Sequence, residues 1–551
     1  MTNWSSADHL TWQQLKARMT GTVVDPLAHA DGGDGPGFSR KREPYEPVGV
    51  RKGVSTIPYA ELHCHSNFSF LDGASTPEEL VEEAVRMGLT ALAITDHDNL
   101  SGVVRFAEAA RELELKTVYG AELGLGGTVR PGEADPDDEH LLVLARGQEG
   151  YAHLSRQIGL AHLDGKEKGK RVYRRARLID DLRDHAVILT GCRKGRIGRA
   201  LRTEGIEGAA RELDLLTDQF GRDNVVVELI DHANPRDRNR NDDLAALAEV
   251  KGLPIVATGG VHFHHPSRRR LASIVAAVRA RSSLDAIEPY LHTPSAYLRS
   301  GDEMALRFAR YPGAVANAAR LGEELAFDLH LIAPELPPFE TPPEHPTEAD
   351  YLRHLAYRGA ERRYGPRAAN QGAFQRIDKE LALIEELNFP GYFLVVWEIV
   401  DFCKRSDIFC QGRGSAANSV VCFALGITNV DPVSEDNRGL IFERFLAPER
   451  DGPPDIDVDI ESDRREEVIQ HVYDRYDRQH AAQVANVISY RPKSAVRDVA
   501  RAFGYSPGQQ DAWSKQIERW GSVSAQDGIP EHVQRYANEL LEAPRHLGIH
   551  S

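Results

Sequence analysis

Only five of the 551 residues are cysteine (Cys64, Cys192, Cys403, Cys410 and Cys422), and no two form a CxxC pair. That scarcity excludes a disulfide framework and suits a reducing, cytoplasmic compartment. Long apolar runs are missing too. The longest, such as 393–397 and 420–425, fall far short of the ~20 residues that cross a bilayer. The opening MTNWSSADHLTWQQ lacks a basic segment followed by an apolar one, so neither a signal peptide nor a membrane partner is expected. There is no excess of positive charge: 67 Lys+Arg stand against 83 Asp+Glu, a formal charge of −16. A protein that coats nucleic acid by bulk charge is thereby excluded, because phosphate neutralisation needs clustered Lys and Arg. An enzyme with a local basic surface is not. The lack of a long internal repeat rules out solenoids and propellers.

The composition is that of an ordinary folded protein, 41% hydrophobic and 27% charged. At ~100–200 residues per domain, the length allows roughly three or four domains. Residues 1–55 end in a Gly-, Pro- and charge-rich stretch without helical or strand period, and read as an arm or linker. From about Pro58, short β-branched runs (Thr90–Thr95, Thr117–Tyr119, Leu141–Ala145, Ala186–Thr190, Val225–Ile230, Pro254–Thr258) alternate with helical patterns. This rhythm predicts an α/β domain with a largely parallel sheet or barrel. A proline-rich linker over 331–351 marks the next boundary. Beyond it lie a helical stretch over Tyr351–Leu387, a glycine turn at 412–414 and an acidic strand at 455–460.

Histidines and acids collect at the strand ends. His63 and His65 alternate on one short segment and so share a face. Asp72 follows in the adjoining turn. His97, flanked by Asp96 and Asp98, comes directly after LTALAIT; Glu122 follows KTVYG, Cys192 follows AVILT, and His262 follows PIVAT. Glu228 lies within NVVVELI, and His140 opens HLLVLA. In a βα barrel the carboxyl ends of all strands converge on one face, so residues distant in sequence meet there. One such residue alone is ordinarily a hydrogen-bonded surface group. Imidazole, carboxylate and thiolate converging together are the donor set for zinc or a similar transition metal.

The segments ELHCHSNFSFLDGA, ITDHDNL and ATGGVHF resemble the polymerase and histidinol phosphatase (PHP) domain, a distorted seven-stranded βα barrel holding up to three metals. The resemblance implies metal ligands at His63, His65, Asp72, His97, Glu122, His140, Cys192 and His262, with Zn²⁺ or Mn²⁺ bound. It also implies phosphoester hydrolysis by metal-bound hydroxide. The family usually carries an Asp two residues before the last His, where this chain has Gly260. A metal-dependent phosphoesterase or 3′–5′ exonuclease and a non-catalytic scaffold are therefore both open readings of the barrel.

A second constellation follows. In CQGRGSAANSVVCFALGI, Gly412, Arg413, Gly414 and Ser415 stand at the start of an apolar helical run. Free N–H groups there, with Arg adding charge, suit a phosphate, although a purely structural turn has the same appearance. In PPDIDVDIE, Asp455, Asp457 and Asp459 alternate with Ile456, Val458 and Ile460. Period 2 puts the three carboxylates on one face, where they need a cation; hard oxygen donors without histidine suit Mg²⁺. An edge strand that discourages pairing by charge is the plainer alternative.

A Gly-Ser turn followed by a DxD strand resembles the palm of polymerase β-like nucleotidyltransferases. PGYFLVVWEIVDFCK, GRGSAANS, ITNVDP, FERFLAPER and PDIDVDIE, in this order behind a PHP domain, are similar to the bacterial DNA polymerase III α subunit family from about residue 58 onward. SYRPKSAVRDVARAFGYSPGQQDAWSKQIE and the N-terminal arm are most like its error-prone, damage-tolerant branch. The resemblance implies a multidomain α/β protein: arm 1–55, PHP domain 56–327, first part of the palm 328–486 and a helical thumb 487–551. It implies two Mg²⁺ ions on Asp455 and Asp457 for nucleotidyl transfer from dNTPs to a primer end, with Asp459 a neighbour of that pair. Arg413, Gly414, Ser415 and Arg444 would bind the nucleotide. Primer–template DNA, a sliding clamp and accessory mutagenesis-cassette proteins are the implied partners. The family's third palm carboxylate lies some 40 residues beyond a segment matching PRHLGIHS, so the 551 residues are expected to be a fragment that does not polymerise by itself. The thumb stretch 487–551 carries 8 Lys+Arg and 7 Asp+Glu, which puts the acidic excess elsewhere in the chain. His546 and His550, four apart, are expected on a helix or turn surface rather than on a metal.

Overall fold

The computed structural model describes residues 45–47, 49–126, 132–167, 169–291, 293–329, 338–434, 456–517, 523 and 528–549. Most of the N-terminal arm, together with Arg444, Asp455 and His550, lies outside the described residues. The chain forms two compact units, one within Pro44–Leu331 and Gln483–Ser551 and the other within Ile332–Ala482. No helix among the described residues is long and apolar enough to cross a membrane.

The first unit is built on a seven-stranded sheet with its strands in chain order: β1 (Ala60–Glu61), β2 (Ala91–Ile94), β3 (Lys116–Leu125), β4 (Glu139–Ala145), β5 (Ala186–Leu189), β6 (Val225–Ile230) and β7 (Ile255–Thr258). A bridge between Cys64 and Val261 brings the two ends together, with His65 N donating to Val261 O at 2.8 Å and Val261 N to His63 O at 2.9 Å. Strands such as β5 are buried along their whole length, which is why they read as unbroken aliphatic runs rather than alternating ones. Helices cover the sheet. Pro77–Arg86 starts at a capping box of Thr76 and Glu79 with Pro77 in the first turn, and it buries Leu80, Val81, Ala84 and Val85.

The strands are not all parallel. β4 runs antiparallel to both β3 and β5, whereas the pairs β1–β2, β2–β3, β5–β6 and β6–β7 are parallel. The expectation that every strand presents its carboxyl end to one face therefore fails at β4. Reversal puts the amino end of β4 at the shared rim instead, and His140 at the start of that strand reaches the same mouth as His97 and Cys192.

The stretch expected as the thumb shares a hydrophobic core with the barrel's helix Arg269–Arg279. Leu271, Ile274, Val275 and Val278 pack with Val496, Val499, Val533 and Leu540, each fully buried aliphatic side chain contributing roughly 1.5–3 kcal/mol. Helices Pro492–Ala502, Pro507–Gln516 and Glu531–Leu540 are joined there by an antiparallel ribbon of β10 (Ala485–Ser489) and β11 (Pro544–Ile549). His546 lies exposed on β11, a strand rather than a helix or turn.

The second unit contains helices Glu348–Tyr364, Gln371–Glu386, Pro390–Arg405, Val420–Leu425 and Arg465–His480, with the antiparallel pair β8 (Cys410–Arg413) and β9 (Asp457–Ile460). The single helical stretch expected over Tyr351–Leu387 is two helices, parted at Gly365 and Pro366. The glycine holds φ +84° and the proline has no N–H to continue the ladder.

Candidate functional site

The rim of the barrel gathers every histidine and acid singled out there. His63 follows β1 and donates from Nδ1 to Glu228 Oε1 on β6 at 2.7 Å, while its Nε2 lies 3.1 Å from His65 Nε2. Glu122 on β3 is central: its carboxylate lies 3.6 Å from His63 Nε2, 3.5 Å from His65 Nε2, 3.5 Å from His97 Nδ1 and 3.0 Å from His140 Nδ1. His97 Nε2 meets Asp72 Oδ2 at 2.9 Å, and Cys192 Sγ lies 3.4 Å from His140 Nδ1. The His262 ring sits 4.7 Å from that of His65. Donor atoms of three overlapping triads, His65–His97–His262, His63–His65–Glu122 and His97–Glu122–His140, lie within 4.8 Å of one another.

The donor set fits a metal ion. Glu122 Oε1 and Glu228 Oε2 are buried without a hydrogen-bond partner, and two imidazole nitrogens aimed at each other across 3.1 Å need a shared proton or cation. Burial, reinforced by His97 and His262, pushes His65 well below the ordinary histidine range, so it stays neutral. Burial pulls His63 the same way, yet Glu228 and Glu122 outweigh it and hold that imidazole well above its ordinary range. Glu122 is buried as well, and His140 and His63 still draw its carboxyl well below the usual value.

A supporting ring of residues escaped the sequence reading. Glu61 precedes His63 by two, accepts from His63 N at 2.9 Å, Gly259 N at 2.8 Å and Tyr59 Oη at 2.8 Å, and is pushed up to about 7 by burial. The period of 2 in Glu61, His63 and His65 was the signal for it. Asp138 stands two residues before His140 and meets its Nε2 at 3.4 Å; Arg279 pairs with Asp72. Asp96 and Asp98 serve the frame. Asp96 accepts from Ser66 N, Ser66 Oγ and Ser69 Oγ, each at 2.7 Å, and Asp98 pairs with Arg171 at 2.6 Å. Gly260 sits at φ +51°, and a Cβ there would stand 3.3 Å from His232 Nε2. The position that bears Asp in the family pattern thus has a left-handed backbone and a histidine against it.

In the second unit, β8 and β9 pair Arg413 with Asp457 and Gln411 with Asp459. Arg413 Nε reaches Asp459 Oδ1 at 3.0 Å. Gly414, at φ +61°, opens a 3₁₀ turn over Gly414–Asn418, and a Cβ on it would lie 3.4 Å from Asp457 Oδ2. The glycine turn therefore leaves a strand and precedes the apolar helix by a full 3₁₀ turn; Gly412 and Arg413 belong to β8. Ser415 lies in that turn, its side chain outside the described residues. Ile456 and Val458 pack toward the core, while Asp459 faces solvent. Glu380, missed in the sequence, braces the turn. Buried on Gln371–Glu386, it accepts from Val420 N and Val421 N at 3.1 Å and from Ser419 Oγ at 2.9 Å, at the start of helix Val420–Leu425. Burial pushes it up to about 7.

Comparison with known proteins finds two sequence matches, the second of which runs across parts of both units. The sequence model of the PHP domain matches residues 61–232, and that of the bacterial DNA polymerase III alpha NTPase domain matches 350–551. His262, outside the first match, joins the cluster through β7. Error-prone DNA polymerase from Nocardia farcinica is 54% identical over 98% of this chain and 51% of its own length. That of Mycobacterium bovis is 58% identical over 100% and 50%, and that of Cutibacterium acnes 48% identical over 98% and 48%. The chain spans about half the length of these relatives. The chain thus carries one segment that matches the PHP domain and one that matches the bacterial DNA polymerase III alpha NTPase domain, and over its own length it is similar to about half the length of error-prone DNA polymerases.

Proposed function

We propose that the chain supplies the PHP domain and the first part of the palm of an error-prone, damage-tolerant DNA-directed DNA polymerase, acting in the cytoplasm on primer–template DNA and dNTPs. The observation that carries this reading is the β8–β9 pair, which sets Gly414 against Asp457 and Arg413 beside Asp459. Asp455 and Asp457 hold Mg²⁺ in this reading; when bound, the metal activates the primer hydroxyl and neutralises phosphate charge. Arg413, Gly414, Ser415 and Arg444 bind the triphosphate, and Asp459 orients the Arg413 guanidinium. A sliding clamp and accessory mutagenesis-cassette proteins are its partners. Primer extension by a polypeptide of the relatives' full length tests the assignment. Asp457→Asn should lower the rate by ~10²–10³-fold and Asp459→Asn far less; equal rates for Asp457→Asn and wild type would sink it.

The buried His–Glu cluster favours a second activity, hydrolysis of phosphoesters or 3′–5′ removal of nucleotides with Zn²⁺ or Mn²⁺ bound. His65 and Glu122 hold the metal, and Glu228 keeps His63 oriented through Nδ1. Incubating a labelled primer with the chain and Mn²⁺ or Zn²⁺ should release nucleotides, and Glu122→Gln should abolish the release. Metal bound without any release assigns the barrel a scaffold role instead.

A further inference from the structure

A second group of metal donors lies outside the site described above. Glu149 and His153, four apart on helix Gly147–Gly165, share a face of that helix. His185 immediately precedes β5. The donor atoms of the three lie within 4.8 Å of one another, and the two imidazoles stack with centroids 4.2 Å apart and planes inclined by 11°.

The topology explains the meeting and separates it from the first cluster. Because β4 is antiparallel to β5, its carboxyl end at Ala145 pairs with the amino end of β5 at Ala186. The helix that follows β4 and the residue that precedes β5 therefore meet at the end of the sheet opposite the mouth where His97, His140 and Cys192 gather. Arg146 N donates to His185 O at 2.9 Å. A Cβ on Gly150 would stand 2.0 Å from that same oxygen, so only glycine lets the first turn of the helix come this close.

We propose that Glu149, His153 and His185 form a second metal site that binds Zn²⁺, with solvent in the fourth position, and pins the start of helix Gly147–Gly165 to the start of β5. Two imidazoles and one carboxylate are a zinc-type donor set; nitrogen donors disfavour Mg²⁺ and Ca²⁺. An independent observation points to a ligand. His153 Nδ1 is shut off from solvent and has no hydrogen-bond partner, a state that costs free energy unless something takes up the lone pair.

Counting Zn²⁺ on the purified 551-residue chain tests the proposal. After chelator treatment and titration, His153→Gln/His185→Gln should bind one equivalent fewer than wild type, and His97→Gln, altered in the first cluster, should keep that equivalent. Glu149→Gln should weaken the site by ~10-fold or more. Diethyl pyrocarbonate with peptide mass mapping supplies a residue-level readout independent of stoichiometry: Zn²⁺ should suppress modification of His153 and His185 in wild type and in His97→Gln alike. Equal Zn²⁺ content in wild type and the double variant, or undiminished modification of both histidines at saturating Zn²⁺, overturns the proposal.

Discussion

Glu122 shows how much of this protein rests on one side chain. It is the carboxylate that four imidazoles approach, and one of its oxygens is buried with no hydrogen-bond partner. Replacing it by Gln removes the charge that draws His63 and His140 upward. Metal retained by Glu122→Gln after dialysis, read by elemental analysis, should fall well below the wild-type content. Gly260 makes a second case. An Asp introduced there would take up a left-handed backbone with its Cβ against His232. Gly260→Asp should therefore lower the stability of the barrel by about 1–2 kcal/mol in urea titrations; an unchanged midpoint would mean that the backbone leaves the left-handed region at no cost. At this scale the sequence was most legible. His63, His65, His97 and His262 announced themselves by alternation and by position after aliphatic runs. Glu380 left no such mark, because an acid in a helix gives no sign of being buried until the neighbouring turn is known.

Two elements turn on contacts with distant chain. Helix Val420–Leu425 starts over the buried Glu380 carboxyl, whose folded-state value of about 7 lies above its ordinary 4.5. The folded state thus holds this proton more tightly than the unfolded chain does. Its contribution to stability is fully present below pH 4.5 and is lost as pH rises to about 7. The loss amounts to about 3 kcal/mol over that window. Denaturant melts of the second unit at pH 5 to 8 should show this decline, and Glu380→Gln should flatten it; parallel profiles would remove Glu380 as the cause. Helix Arg269–Arg279 carries Ile274, fully buried against the residues after 490. Ile274→Ala should cost about 2–5 kcal/mol and speed hydrogen exchange in Pro492–Ala502. Strand β8 was illegible beforehand, since CQGR has no alternation and is a strand only through its pairing with β9.

Across the whole molecule, metal binding should act on one unit selectively. Zn²⁺ at 100 times its dissociation constant stabilises the state that binds it by about 2.7 kcal/mol. Hydrogen exchange should accordingly show protection gained in β1–β7 and not in β8 or β9, and chelation should reverse it. Uniform gain over both units would contradict a zinc centre confined to the barrel. The sequence by itself determined the parts that depend on local pattern: the run of βα units, the alternating histidines and aspartates, the glycine turn, and through its motifs the likeness to PHP and polymerase III α sequences. Tertiary structure alone decided the direction of β4, the sharing of one core by the barrel and the residues after 490, and the joining of Glu149 and His153 with His185. Strand direction and core sharing arise from pairing between segments far apart in the chain, and such pairings leave no periodic trace in either partner.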